Sequence, residues 1–276
     1  MKEKLNITGI IKTFDRSACL ERLLRSVKEN RGNMWFNFII ADDSKISSKT
    51  KITMMFWDIV EEYIEMPYDS WISKWRQIAL EKIKTKYFLL CDDDFIFSEK
   101  INFSYLLEIL EKNKLDILGG TLDDKPEFLY RIGSFFSQIK KKKYKNAFSI
   151  LLKKKINRTF FGEIITWDFE YWKYKFEYWK YHEKISEDLF MVDYVSNFFL
   201  CRTDSIRDAW WWKSLGKIGN EHGLFYVRMK ENKLKVAILK KGFTAIHRQI
   251  FSIKYLLKRF RKYDNKKSEE DFKKIS

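Results

Sequence analysis

Lys86-Tyr87-Phe88-Leu89-Leu90-Cys91-Asp92-Asp93-Asp94-Phe95-Ile96-Phe97 is the stretch that decides the fold. The apolar and aromatic run up to Cys91 reads as a strand buried on both faces. Three carboxylates then stand at its carboxyl end. In an extended chain residues two apart share a face, so Asp92 and Asp94 are expected to point one way and Asp93 the other. Two carboxylates on one face repel each other unless a cation sits between them. Oxygen ligands of this kind suit Mg²⁺ or Mn²⁺. Taken alone, an Asp triplet reads equally well as a solvated acidic turn, so its company in the chain has to decide.

Upstream, Asn6 to Thr13 reads as a buried strand, followed by a turn at Phe14-Asp15-Arg16-Ser17. Leu20, Leu23, Leu24 and Val27 then form a helical stripe, with Ser17 a candidate N-cap. Asn37 to Ala41 is a second strand ending in Asp42-Asp43-Ser44, and Ser70 to Lys84 reads as a helix with Trp71, Trp75, Ile78 and Ala79 on its apolar side. Downstream come a helix over about Tyr105 to Lys112 and a strand over Asp116 to Gly119. Strands alternating with helices predict an α/β, mostly parallel sheet. Ligands of such sheets collect beyond the carboxyl ends of the strands. Three of these ends carry acids: Asp15, then Asp42 with Asp43, then Asp92 with Asp94. Parallel strands would gather them at one edge, which is costly without a cation or ligand hydroxyls.

Composition narrows the class. The 276 residues include only 2 Pro and 10 Gly, against linkers and disorder, and no apolar run reaches the length of a membrane span. The start of the chain has no secretory signal pattern. Cys19, Cys91 and Cys201 lie far apart in apolar or helical contexts and read as reduced core thiols of a cytoplasmic protein. Lys and Arg number 54 against 38 Asp and Glu, a net charge of +16 that favours anionic partners: nucleic acid, an acidic membrane surface or phosphorylated substrates.

The second half differs. Lysine blocks fill 140–155, and residues 167–182 hold an imperfect aromatic tandem offset by seven, read as one face of a helix. Met191 to Cys201 reads as one buried strand and Leu234 to Leu239 as another, while 252–263 is a basic amphipathic candidate. Trp210-Trp211-Trp212 is expected to pack or to flank a pocket.

Together these pieces resemble the inverting glycosyltransferases of GT-A fold, in the large family 2 and its relatives. Thr13-Phe14-Asp15-Arg16 resembles the family's opening, Ala41-Asp42-Asp43-Ser44 its second acidic strand end, Trp75-Arg76-Gln77 its Arg-Asn helix, and Asp92-Asp93-Asp94 its DXD motif. Gly219 to His222 through Arg228, followed by Lys233-Leu234-Lys235-Val236, resembles its Glu-Asp…Arg-Leu…Gly-Tyr-Lys-Val block. With Ser196 to Asp204, that block looks like β-1,4-N-acetylgalactosaminyltransferases of the ganglioside-synthesising type. The resemblance covers 5–125 and 190–248. It implies a nucleotide-sugar half over 1–125, a variable insertion over 126–189, an acceptor-side half over 190–248 and a basic tail over 249–276.

The resemblance also implies roles. Thr13, Asp15, Asp42 and Arg76 would surround uracil and ribose. Asp92 would touch ribose or a metal-bound water, Asp94 would ligate Mn²⁺ or Mg²⁺, and His247 would stand as a third metal ligand. Glu221 would be the base, although His222 occupies the place of the Asp that serves many relatives. Asn232 replaces a common Gly and is expected to adopt its left-handed backbone. The implied partners are a UDP-sugar donor, a glycan or lipid-linked glycan acceptor, and an anionic membrane surface at the inner face of the cytoplasmic membrane. Two other readings use the same features: a metal-dependent nucleotidyltransferase or nuclease, with nucleic acid a less favoured partner, and a non-catalytic basic surface-binding protein on this scaffold.

Overall fold

The computed structural model describes residues 3–30, 34–70, 72–124, 158–159, 162–168, 173–178, 180–208 and 221–248. The first half runs β1 (Glu3–Thr13), α1 (Ser17–Asn30), β2 (Met34–Asp42), α2 (Lys49–Phe56), β3 (Val60–Glu65), α3 (Ile72–Lys82), β4 (Tyr87–Asp92), β5 (Phe95–Phe97), α4 (Phe103–Lys112), β6 (Ile117–Gly119) and β7 (Thr121–Asp124). The second runs β8 (Arg158–Thr159), β9 (Glu163–Asp168), β10 (Lys173–Tyr178), β11 (Glu183–Lys184), β12 (Leu189–Val192), β13 (Phe199–Arg202), α5 (Thr203–Asp208), α6 (Glu221–Glu231), β14 (Val236–Leu239) and β15 (Thr244–His247).

Nine strands form the main sheet in the order β11-β12-β14-β6-β13-β4-β1-β2-β3. Its inner strands β4, β6 and β14 are almost uninterruptedly apolar because both faces are covered. Ile11, Ile40, Leu89 and Cys91 pack with Leu20 and Leu23 of α1, Ile52 and Phe56 of α2, and Leu106 and Leu110 of α4. Their immediate neighbours Ile10, Ile39, Phe88 and Leu90 pack with Trp75 and Ala79 of α3 and with Phe225 and Met229 of α6. Each fully buried Leu or Phe of this kind contributes about 1.5–3 kcal/mol. Cys19, Cys91 and Cys201 are buried thiols outside any disulfide.

The expected parallel sheet holds for β3-β2-β1-β4, where every pairing is parallel. The whole sheet is mixed. β13 inserts antiparallel between β4 and β6, and β12 runs antiparallel to β14. Strands of residues 190–248 are thus interleaved with those of residues 1–125.

A second, four-stranded sheet has the order β5-β15-β7-β8. Among the described strands the chain passes from the main sheet to this one three times, at β4–β5, β6–β7 and β14–β15. It passes from β6 to β7 through Gly120, where an added Cβ would stand 2.5 Å from the Phe243 carbonyl oxygen and 2.6 Å from the Phe198 ring, so no larger residue fits without movement. It passes from β4 to β5 through Asp93-Asp94, which places the acidic turn on the seam.

Three local expectations are corrected. Within the aromatic tandem, residues 173–178 are strand β10, paired antiparallel with β9, and not helix. The alternation Tyr174, Phe176, Tyr178 against Lys173, Lys175, Glu177 is a period of two, and it outweighs the offset of seven. Met191 to Cys201 is not one strand but the end of β12, a loop, and most of β13. The left-handed residue after α6 is Lys233 (φ 58°), next to the expected Asn232. The lysine blocks of 140–155, Trp210 to Trp212 and the segment 252–263 lie outside the described residues.

Candidate active site

β4, β1 and β2 are parallel neighbours, and their registers pair Lys12 with Asp92 and Thr13 with Asp42. The acidic strand ends therefore meet at one edge of the sheet, as parallel packing requires.

The expected alternation within the triplet does not hold. β4 ends at Asp92, and the two following residues form a turn, so strand geometry no longer orients them. Asp93 is fully buried and Asp94 nearly so. One cation serves both: Arg16 Nη1 donates to Asp94 Oδ2 at 2.7 Å, and Nη2 pairs with Asp93 Oδ1. Burial pushes the Asp93 carboxyl up to about 7 despite Arg16. Burial works the same way on Asp94, but there Arg16 and His247 outweigh it and hold the carboxyl below its ordinary range. His247 arrives because β15 pairs antiparallel with β5, His247 opposite Phe95, with the Arg248 N–H donating to the Asp94 carbonyl at 2.9 Å. Its Nε2 stands 3.5 Å from Asp94 Oδ2.

Asp92 is held from the other side. Asn197 Nδ2 donates to Asp92 Oδ2 at 3.0 Å, and Arg76 Nη2 donates to Asn197 Oδ1 at 3.4 Å. Burial, then the neighbouring Asp94 charge, raise the Asp92 carboxyl, partly offset by Asn197 and Arg76. Asn197 was not among the expected site residues. Its signal lay in the pairing of Phe199 with Leu90: two residues further along each antiparallel strand, Asn197 falls opposite Asp92. Arg16, expected only as part of the family opening, was also missed as a partner of the Asp turn.

Asp15 and Asp42 shape the adjoining loop. Ser44 N–H and Ser48 N–H donate to Asp42 at 2.9 and 3.3 Å, and Tyr63 Oη donates at 2.7 Å. Asp15 sits in the left-handed region (φ 51°), its N–H donating to Ser44 Oγ at 2.7 Å and its Oδ1 accepting from Lys45 N–H at 3.0 Å. Thr13 is buried beside them. Asp43, absent from the expected set, is wholly buried and pairs with Lys12 Nζ at 3.1 Å; burial raises its carboxyl against that lysine. Asp15 and Asp42 are thus joined through Ser44, Asp92 and Arg76 through Asn197, and Asp94 stands beside His247, with Thr13 buried at the end of β1. Glu221 and His222 open α6, and their side chains lie outside the described residues.

Glu163, at the start of β9, is a further acid without a signal in the sequence. It is 4% exposed, and burial raises its carboxyl to about 7 from an ordinary 4.5. A carboxyl raised in the folded state stabilises while protonated, so its contribution is complete below 4.5 and is lost as pH rises through about 7. Between pH ~5 and ~8 the wild-type melting temperature is expected to fall by about 3–6 °C more than that of Glu163→Gln. Parallel melts across pH check this.

The donor set fits a divalent ion. Asp94 Oδ1 is buried without a hydrogen-bond partner among the described residues, His247 stands beside the same carboxyl, and Asp92 adds a second carboxylate. Among the described residues no three His, Cys, Asp or Glu side chains are gathered closely enough to hold a metal ion by themselves. An ion here would complete its shell with water or substrate oxygens, as Mg²⁺ and Mn²⁺ do.

A family model, Glycosyl transferase family 2, matches residues 8–210. The chain belongs to this family. Its fold is GT-A: the solved structure of GalNAc-T7 with UDP, GalNAc and Mn²⁺ superposes with a TM-score of 0.63 at 11% identity, covering 92% of this chain and 47% of that one. S. aureus TarS 1–349 in complex with UDP-GlcNAc gives 0.56 at 13%, covering 90% and 60%. Among curated proteins, β-1,4 N-acetylgalactosaminyltransferase 2 of Mus musculus is 35% identical over 116 residues, 42% of this chain and 21% of the relative. β-1,4 N-acetylgalactosaminyltransferase 1 of Homo sapiens is 27% identical over 204 residues, 74% and 32%. This family 2 chain thus spans between a fifth and a third of the length of these curated relatives.

Proposed function

We propose that the protein is an inverting, metal-dependent glycosyltransferase that moves a HexNAc or hexose from a UDP-sugar to a hydroxyl of a glycan or lipid-linked glycan, in the synthesis of a surface polysaccharide or lipooligosaccharide. The observation that carries this reading is the Asp turn with its basic partners on the carboxyl edge of β4-β1-β2. The HexNAc preference draws support from the named activities of the curated relatives.

Asp94, with His247 and Asp92, would hold Mn²⁺ or Mg²⁺, which supplies charge stabilisation for a departing nucleoside diphosphate. Arg16 and Arg76 fix the carboxylates before substrate arrives, which lowers the reorganisation needed during reaction. The loop held by Asp15 and Asp42, with Thr13 behind it, forms the wall for uracil and ribose. Glu221 takes the acceptor's proton, with His222 the alternative, and attack from the face opposite the nucleotide inverts the anomeric centre. Only one base is needed, unlike the carboxylate pair of a retaining glycosidase. Residues 1–125 make the donor half and 190–248 the acceptor side, with 126–189 and 249–276 as additions. The protein would act on the cytoplasmic side of the membrane.

The test is UDP release by the purified chain from a panel of UDP-sugars, with Mn²⁺ or with chelator. Slow hydrolysis of one or two UDP-HexNAc or UDP-hexose donors, lost with chelator, is expected. Failure to turn over or bind any UDP-sugar in the presence of Mn²⁺ overturns the reading.

A further inference from the structure

The three most exposed large apolar side chains among the described residues fall in one short stretch: Ile46 at 85%, Trp57 at 79% and Met54 at 74%. Ile46 lies in the loop that leads into α2, Met54 on the helix and Trp57 at its C-cap. The inner side of the same helix is spent on the core through Ile52 and Phe56. Helical spacing explains the division, since Met54 and Trp57 are three apart and turned away from the Ile52–Phe56 row.

The segment that carries these side chains is basic, and the first acid beyond it, Asp58, is paired with Lys28. From Ser44 to Trp57 the charged residues are Lys45, Lys49 and Lys51, with no acid. Lys49 and Lys51 reach Glu65 and Glu21, but both lysines are about half exposed, and such pairs in water are weak and yield to a stronger anionic partner.

We propose that the outer side of this loop and helix is a docking surface for an anionic phospholipid bilayer. Ile46, Met54 and Trp57 enter the interfacial region, and Lys45, Lys49 and Lys51 face the headgroups. Trp is the side chain that favours this depth, its ring apolar and its N–H able to reach water or headgroup oxygen. Buried apolar area and attraction to anionic lipid act together in such binding. A second copy of the chain fits less well. Three side chains fall far short of the area of roughly 1,200 Å² or more that stable interfaces bury, and each copy carries a net charge of +16. The surface is fixed to the candidate site, because Ser44 and Ser48 of the same loop bond to Asp15 and Asp42. Docking there brings the carboxyl edge of the sheet close to the bilayer, whatever reaction that edge performs.

The test is flotation of the full chain with vesicles of phosphatidylcholine alone or with about 30% phosphatidylglycerol. Binding is expected only with the anionic lipid, weakening as salt is added. The double variant Met54→Ser/Trp57→Ser is expected to lower binding about tenfold, and Lys45→Glu/Lys49→Glu/Lys51→Glu about as much. The Met54→Ser/Trp57→Ser protein should keep wild-type melting behaviour and donor hydrolysis without vesicles, since neither side chain lies in the core or the site. Three results overturn the proposal: no flotation at low salt, flotation undiminished in the double variant, or a dimer in sedimentation velocity that the double variant abolishes. Absence of donor hydrolysis in both proteins would count against the glycosyltransferase reading and leave the docking result standing.

Discussion

Asp94→Ala is expected to abolish Mn²⁺-dependent turnover of the UDP-sugar, lowering kcat/KM by about 10³-fold or more. The reason lies in the position of the side chain. Its Oδ2 is already held by Arg16, its Oδ1 is buried and unsatisfied among the described residues, and His247 stands 3.5 Å away. Removing it takes away the acid most strongly kept ionised in the Asp turn and costs Arg16 one of its two carboxylates there. Asp93→Ala is expected to be milder in catalysis. Its cost falls on stability, because the half-buried Arg16 guanidinium loses a wholly buried carboxylate partner. Steady-state UDP release and Mn²⁺ titration calorimetry on both variants, each checked by thermal melting, test the difference. Equal loss of turnover and metal affinity in two well-folded variants would contradict the assignment of Asp94 as the ligand.

Glu221→Gln is expected to keep donor binding while kcat falls by about 10²-fold or more, the scale of a lost general base. Glu221 opens α6, whose later residues Phe225 and Met229 are anchored in the core against the sheet, so the helix start is fixed relative to the strands. An amide at the same position preserves shape and removes proton acceptance. The measurement is kcat and KM with a competent acceptor, alongside UDP affinity by calorimetry. His222→Ala crippled beside a normal Glu221→Gln would move the base to His222.

Much of the site was written in residue order. Thr13 to Arg16, Asp42, Arg76 and Asp92 to Asp94 each sit at the end of a strand or on a helix face that apolar patterning marks, within the residues 8–210 that the family model matches, while His247 lies beyond that span and was expected from the resemblance alone. What was missed shares one physical cause: contacts between residues far apart in sequence. Arg16 reaches Asp93 and Asp94 across 77 and 78 positions, and Asn197 reaches Asp92 across 105. No local period encodes such pairings. Glu163 gave no signal either, since its burial depends on what packs over β9.

The sequence by itself determined that there is an α/β sheet with buried parallel strands, that their carboxyl ends are acidic, and that a helix carries Trp75 and Arg76 ahead of the strand that ends in Asp92. Those features follow from local rules: continuous apolar runs for strands covered on both faces, and 3.6-residue stripes for helices. Only the tertiary structure decided that β13 enters antiparallel between β4 and β6, that 173–178 of the aromatic tandem is a strand paired with β9, and that Asp93 and Asp94 leave the strand to share Arg16. Strand order and turn geometry are set by which surfaces bury each other over the whole chain. A carboxylate's direction at a strand end is settled there, by the cation that packing delivers to it.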